Sequence, residues 1–188
     1  MSHFVSRLLP RAGVAHRRWP AAAGILLLGS CLCWSARARA DTALAVELSY
    51  DDAVDSADDG IGLDVLFGPR FDLVLLTLGT EIGGGIHDFS GGVDPAVYRA
   101  VVGARLGLGA IVRPSVYTHF GVGHLRYETL GGRESRTGLA GDLGIALDFT
   151  VLPLLNLGVH YSYNSVFASD DEPAFDWTQL GAHAVLVF

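Results

Sequence analysis

A chain of 188 residues is enough for one ordinary domain and short for two. Its 13 basic residues are all arginine, and six of them (Arg7, Arg11, Arg17, Arg18, Arg37, Arg39) fall in the first 40 residues. From Asp41 onward seven arginines face all 20 carboxylates, and so acidic a body is a poor partner for phosphate backbones, which argues against nucleic-acid binding.

The first 40 residues read as an export signal. A basic stretch ending in Arg17-Arg18 precedes an apolar run, Ala21 to Leu28, too short to span a bilayer as a helix. Ala38-Arg39-Ala40 then places small residues where a signal peptidase reads, with Asp41 next. The expected layout is a Sec-type signal over 1–40, removed, and a mature domain over 41–188. Leu28-Gly29-Ser30-Cys31 offers a second reading, lipoprotein processing at Cys31. Both cysteines, Cys31 and Cys33, lie in the signal, so no disulfide is expected in the mature part.

Beyond Asp41 no apolar window is long enough for a transmembrane helix. What recurs is alternation with period two, the mark of a strand with two unlike faces. Leu44, Val46, Leu48 and Tyr50 oppose Ala45, Glu47 and Ser49. Ile61, Leu63, Val65 and Phe67 oppose Gly62, Asp64 and Leu66. In the third run Leu76, Leu78, Thr80 and Ile82 oppose Thr77, Gly79, Glu81 and Gly83. In the fourth Tyr98, Ala100, Val102, Ala104 and Leu106 oppose Arg99, Val101, Gly103 and Arg105. The fifth sets Phe120 and Val122 against His119, Gly121 and Gly123. The sixth sets Leu139, Leu143, Ile145, Leu147 and Phe149 against Ala140, Asp142, Gly144 and Asp148. The seventh sets Leu157, Val159, Tyr161 and Tyr163 against Gly158, His160, Ser162 and Asn164. The eighth sets Leu180, Ala182, Ala184, Leu186 and Phe188 against Gln179, Gly181 and His183.

The connections alternate in length. Long ones are expected at about 51–60, 85–96, 128–137 and 164–176, read together as four acidic loops. Short ones are expected at Gly68-Pro69-Arg70-Phe71, at 111–115 and at 151–154. This segregation is the layout of an outer-membrane barrel with both termini at the turn end. Aromatic residues fit two interfacial girdles: Tyr50, Tyr98, Tyr127, Tyr163 and Trp177 by the loops, and Phe67, Phe71, Tyr117, Phe149 and Phe188 by the turns.

The polar faces are mostly Gly and Ala with isolated charges, which suits the inside of a narrow barrel better than a wet surface. The expected fold is therefore all-β, an eight-stranded antiparallel transmembrane up-and-down β-barrel whose lumen is filled by side chains. Its interior set is Glu47, Asp64, Glu81, Asp142 and Asp148 with Arg99, Arg105, His119, His160 and His183. Buried charges require partners, and Glu81 with Arg99 is the pair expected, since the two are roughly equidistant from the middle of the loop joining the third and fourth runs.

The export signal, the eight alternating runs and the last strand, Leu180 to Phe188 with its terminal phenylalanine, resemble small outer-membrane barrels of the OmpA/OmpX type. That resemblance implies lipid bilayer and lipopolysaccharide as surroundings, a monomer, and reading of Phe188 by the barrel-assembly machinery. With the sequence stopping at Phe188, no periplasmic peptidoglycan-binding domain is expected. The expected role is non-enzymatic, in envelope structure or surface interaction, with no cofactor and no metal.

Two other readings carry residues. His160, Ser162 and Glu172 resemble the His/Ser/Glu set of lipid A deacylase barrels, a serine nucleophile with its base and orienting acid. Parity opposes it, because Val159, Tyr161 and Tyr163 mark the lipid face and turn His160 and Ser162 inward. His119 and His124 are on opposite faces. His160 and His183 can meet across strands seven and eight, but no third metal ligand is evident. A narrow pore is the other alternative, opposed by a filled lumen.

Overall fold

The computed structural model describes residues 39–54, 56, 58–73, 75–91, 94–129, 132–167 and 174–188. The predicted signal, all but Arg39 and Ala40, lies outside them, as does Glu172. Eight strands follow in order: β1 (Arg39–Ala53), β2 (Asp59–Leu73), β3 (Leu76–Ser90), β4 (Ala96–Leu108), β5 (Val112–Thr129), β6 (Gly132–Leu152), β7 (Leu155–Phe167) and β8 (Phe175–Val187). Each pairs antiparallel with its sequence neighbour, and β1 pairs with β8, so the sheet closes. Closure leaves no open edge, which is the condition a sheet must meet in lipid.

The alternation in sequence becomes an alternation of environment. Along β2 the residues from Asp59 to Arg70 switch strictly between exposed and buried, and Leu157 to Asn164 of β7 do the same. The exposed side is apolar all the way round: Ile61 is 73% exposed, Phe120 68% and Leu143 67%. A continuous apolar belt of this size is incompatible with water. It faces lipid, and the barrel is a membrane-spanning one.

Following paired residues around the wall fixes the tilt. Arg39 leads to Asp72, Thr77, Gly107, Ser115, Ala146, His160 and Gly181, and back to β1 at Ser49, ten residues further along. Strands staggered in this way lean by roughly 40° from the barrel axis and leave an interior that side chains can fill.

Four expectations are corrected. The first turn is not Gly68-Pro69-Arg70-Phe71: β2 runs on to Leu73 and the turn falls at 74–75. Pro69 is tolerated because it pairs with Thr42 without closing a bond to β3. The expected loops are largely strand, so the loop-end connections shrink to 54–58, 91–95, 130–131 and 168–174. Paired backbone continues as projecting hairpins, longest in β5–β6. Nor are all four acidic, since that third hairpin carries Arg126, Arg133 and Arg136 against Glu128 and Glu134. Finally, Trp177 and Tyr117 belong to no girdle. Both point inward, 1% and 4% exposed, because each shares parity with a lumen histidine on its own strand, His183 and His119. Tyr50, Tyr163, Phe67, Phe71, Phe149 and Phe188 do face outward.

Candidate functional site

The lumen is built in layers. At the loop end an apolar plug of Ala53, Phe89, Val97, Leu125, Ala140, Val166 and Trp177 fills the cylinder. Its rings meet edge to face, Phe89 with Phe175 at 5.2 Å and with Trp177 at 6.1 Å, a favoured aromatic geometry. Below the plug the interior is ionic. His87 packs under Trp177 and meets Asp51 through Nδ1 at 2.8 Å.

Arg99 is the hub of the next layer. Its Nε donates to Asp64 Oδ1 at 2.9 Å and Nη2 to Asp64 Oδ2 at 2.8 Å, a two-pronged pair. Its Nη1 donates to Asp142 at 3.1 Å and to Asn164 at 2.7 Å. Asp142 and Glu81 hold His119 from both sides, each at 2.9 Å. Glu81 also accepts from Arg105 at 2.8 Å, and Arg105 donates to Glu47 at 3.1 Å. The Arg105 guanidinium lies 4.6 Å above the Tyr117 ring, a cation–π contact. Further round, the imidazoles of His160 and His183 stack, with their Nδ1 atoms 3.3 Å apart, and His183 Nε2 meets Asp148 at 2.7 Å. At the turn end, Arg70 pairs with Asp72 and Arg113 donates to the carbonyls of Gly109 and Ala110. A cavity of about 40 Å³ there is bordered by Arg70, Glu81, Arg105, Arg113 and Asp148.

Every interior residue expected from sequence is in the lumen, but the expected Glu81–Arg99 pair does not form. Register explains why. Arg99 sits opposite Gly85, and Gly85 opposite Asp64, whereas Glu81 faces Gly103 and through it His119. The hairpin axis lies further along the chain than its long-loop centre suggested, and Arg99 is thereby moved one layer toward the loop end. The glycines are what allow these pairs. A β carbon on Gly85 would run into the Asp64 carboxylate, one on Gly103 into His119, and one on Gly62 into His87, Ser49 and Asp51. Each glycine is a seat on a middle strand over which side chains of the two flanking strands meet. We expect Gly85→Val to lower unfolding free energy by about 1–3 kcal/mol, the usual cost of overpacking, in urea titrations of the lipid-reconstituted barrel. An unchanged midpoint would mean that Asp64 and Arg99 do not meet there.

Sequence reading missed His87, Asp51 and Tyr117 as lumen residues; Asn164 and Gln179 it placed on the inward faces without giving them partners. Asp51 was assigned to a loop, and His87 lay inside another expected loop. The strands continue through both. Of the deacylase-like set, His160 and Ser162 are together on β7, facing the lumen, 2% and 1% exposed. The Ser162 hydroxyl donates to Gln179 at 3.0 Å and accepts from Asn164 at 3.0 Å. It makes no bond to His160. Glu172 lies outside the described residues.

No protein-family model matches the sequence, and no curated protein matches it. Solved structures do. Neisserial surface protein A is 14% identical and superposes with a TM-score of 0.58, over 80% of this chain and 99% of that one. Ail, the attachment invasion locus protein of Yersinia pestis, is 16% identical with a TM-score of 0.53, over 79% and 97%. The outer membrane enzyme PagL is 12% identical with a TM-score of 0.52, over 77% and 98%. The chain thus has the fold of the small eight-stranded outer-membrane β-barrels of the OmpA/OmpX type. Its apolar belt fits that same location.

Proposed function

We propose that the protein is a non-enzymatic outer-membrane barrel, a closed wall element whose projecting hairpins meet the cell's surroundings. The observation that carries this reading is the lumen, stoppered by the Trp177 plug at one end and cross-linked by ion pairs beneath it. In this reading the signal over 1–40 is removed after export by the Sec route. Because β1 begins at Arg39, cleavage after Ala40 trims two residues from its start. The turn end is periplasmic and the hairpin end extracellular. Hairpins one, two and four present acids to lipopolysaccharide with its bridging divalent cations, and the third presents arginines. Phe188, whose backbone exchanges bonds of 2.8 and 2.9 Å with Thr42 across the closing seam, is the residue the barrel-assembly machinery reads. The protein acts as a monomer.

What supports a passive role over hydrolysis is the placement of Ser162, bonded to amides in the lumen and turned away from acyl chains. Membrane fractionation should place the protein in the outer membrane, and unheated samples should migrate differently from boiled ones on electrophoresis. Purified barrel should release no fatty acid from lipid A. Release that Ser162→Ala abolishes would replace this reading with the hydrolase one. Steady conductance in planar bilayers would replace it with a pore.

A further inference from the structure

We propose that Glu47, His160 and His183 form a binding site for one divalent transition-metal ion of the zinc type, set across the seam that closes the barrel. The three come from β1, β7 and β8. Glu47 is directly opposite His183 in the β1–β8 register, and His160 is opposite Gly181, two residues away on β8. One ligand atom of each lies within 4.8 Å of the other two, and all three side chains are buried. Two imidazoles with one carboxylate are the donor set that zinc and its neighbours in the first transition row prefer, and that calcium and magnesium do not.

The proton arithmetic of the cluster leaves a place for a cation. Asp148 takes the hydrogen of His183 Nε2 at 2.7 Å, so His183 Nδ1 presents a lone pair. His160 Nδ1, 3.3 Å away, is left to donate to it. His160 Nε2 then carries a second lone pair, is fully enclosed, and has no hydrogen-bond partner. It looks at Glu47 Oε2 across 4.0 Å. Two acceptors thus face one another with no donor between them, an arrangement that burial makes costly. A metal ion that takes one lone pair from each residue binds His160 through a single nitrogen: through Nδ1 it displaces the proton shared with His183, which moves to Nε2, and through Nε2 it fills the gap to Glu47.

The surroundings are those of a built site. Asp148 behind His183 is the carboxylate–histidine–metal arrangement that orients a ligating imidazole, and Arg105 holds the other Glu47 oxygen at 3.1 Å. The two rings have seats made for them: a β carbon on Gly181 would strike His160, and one on Gly158 would strike His183. The connected lumen set, from Asp51 to Asp148, holds six carboxylates and two guanidiniums; His119, with a carboxylate on each ring nitrogen, adds a third positive charge, and the balance still favours a further cation. Asp148 also borders the turn-end cavity, which gives an ion an approach from that side. Ligands of a four-coordinate zinc stand roughly 3.3–3.5 Å apart, from bond lengths of about 2.0–2.2 Å, so atoms within 4.8 Å of one another need close by at most about 1.5 Å. Since Glu47 is on the first strand and His183 on the last, the ion would fasten the seam.

The test uses the barrel refolded into detergent micelles, stripped with chelator, and loaded with zinc chloride. We expect one zinc per chain after gel filtration, resistant to millimolar calcium. His160→Gln and His183→Gln should abolish retention, and Asp148→Asn should weaken affinity about 10–100-fold. Failure of the unsubstituted barrel to retain zinc, displacement by calcium, or full retention by both histidine variants would overturn the proposal and assign any binding to surface carboxylates. If the variants do not fold, copper-loaded unsubstituted barrel decides. Nitrogen hyperfine structure in its electron paramagnetic spectrum supports the site, and an oxygen-only signature removes it.

Discussion

Replacing Arg99 with methionine is expected to destabilise the barrel by about 3–5 kcal/mol, a large share of a membrane barrel's unfolding free energy. The methionine retains most of the apolar stem, so the loss is one of charge and hydrogen bonds. Arg99 satisfies Asp64 twice, Asp142 once and Asn164 once. Without it Asp64 keeps only Gln179 at 3.3 Å and His87 at 3.5 Å. A carboxylate 1% exposed is then left beside weak partners, and breaking a buried pair on one side costs more than the pair itself contributes. The measurement is urea unfolding of the barrel in lipid vesicles. The double variant Arg99→Met with Asp64→Asn should recover part of the loss, because the orphaned charge leaves with its partner. Strict additivity of the two single losses would show that the residues do not interact.

Chemically, this predicts a lumen that behaves as one connected unit. Arg99 and Arg105 do not touch, yet Asp142, His119 and Glu81 form a chain between them. The apolar plug lies above that chain on the hairpin side, and the small cavity by Arg113 and Asp148 borders it at the turn end. Ion pairs so enclosed are electrostatically strong and lock the eight strands into one register.

The architecture was legible because parity is a strong signal when the two faces meet lipid and lumen. Leu, Val and Ile on one side and Gly, Ala and single charges on the other recur in every strand, so parity alone places each of Glu47, Asp64, Asp142, Arg105 and His160 inside, where the structure has them. Pairing was not legible, because it depends on register, and register depends on where each hairpin folds back. Asp51 and His87 read as loop residues since polar, glycine-rich composition marks loops in ordinary sheets, whereas here paired strands carry it past the apolar belt. The same error placed the centre of the β3–β4 hairpin too early and produced the Glu81–Arg99 pair. One signal was present and went unread. Interior-parity glycines such as Gly85, Gly103 and Gly158 mark where flanking strands send large side chains over a middle one. With register in hand they would have pointed to Asp64–Arg99, Glu81–His119 and Asp148–His183. The third metal-type ligand was hidden for a related reason: Glu47 is more than a hundred residues from His160 in the chain and becomes its neighbour only when β1 closes on β8.

Ile145→Arg, the second large effect, should cost about 2–4 kcal/mol in the bilayer, whereas Tyr50→Arg should cost about 0–1. Ile145 is 59% exposed on the outer face of β6, between Leu143 and Leu147 and paired with Val116 and Tyr161, so an arginine there has only hydrocarbon around it. Tyr50 is 53% exposed, but it stands beside Asp51 and Asp52 near the hairpin end, where a guanidinium can reach headgroups and water. The two sites are similarly exposed, so accessible area alone predicts equal costs. Depth in the bilayer predicts unequal ones. Unfolding in vesicles, compared for both variants, separates the two: a difference of several kcal/mol is the signature of a lipid-facing belt. If both arginines were tolerated alike, the exposed Leu, Ile and Phe would have to be covered by something other than lipid, and the lumen's ion pairs would need a different reason to be on the inside.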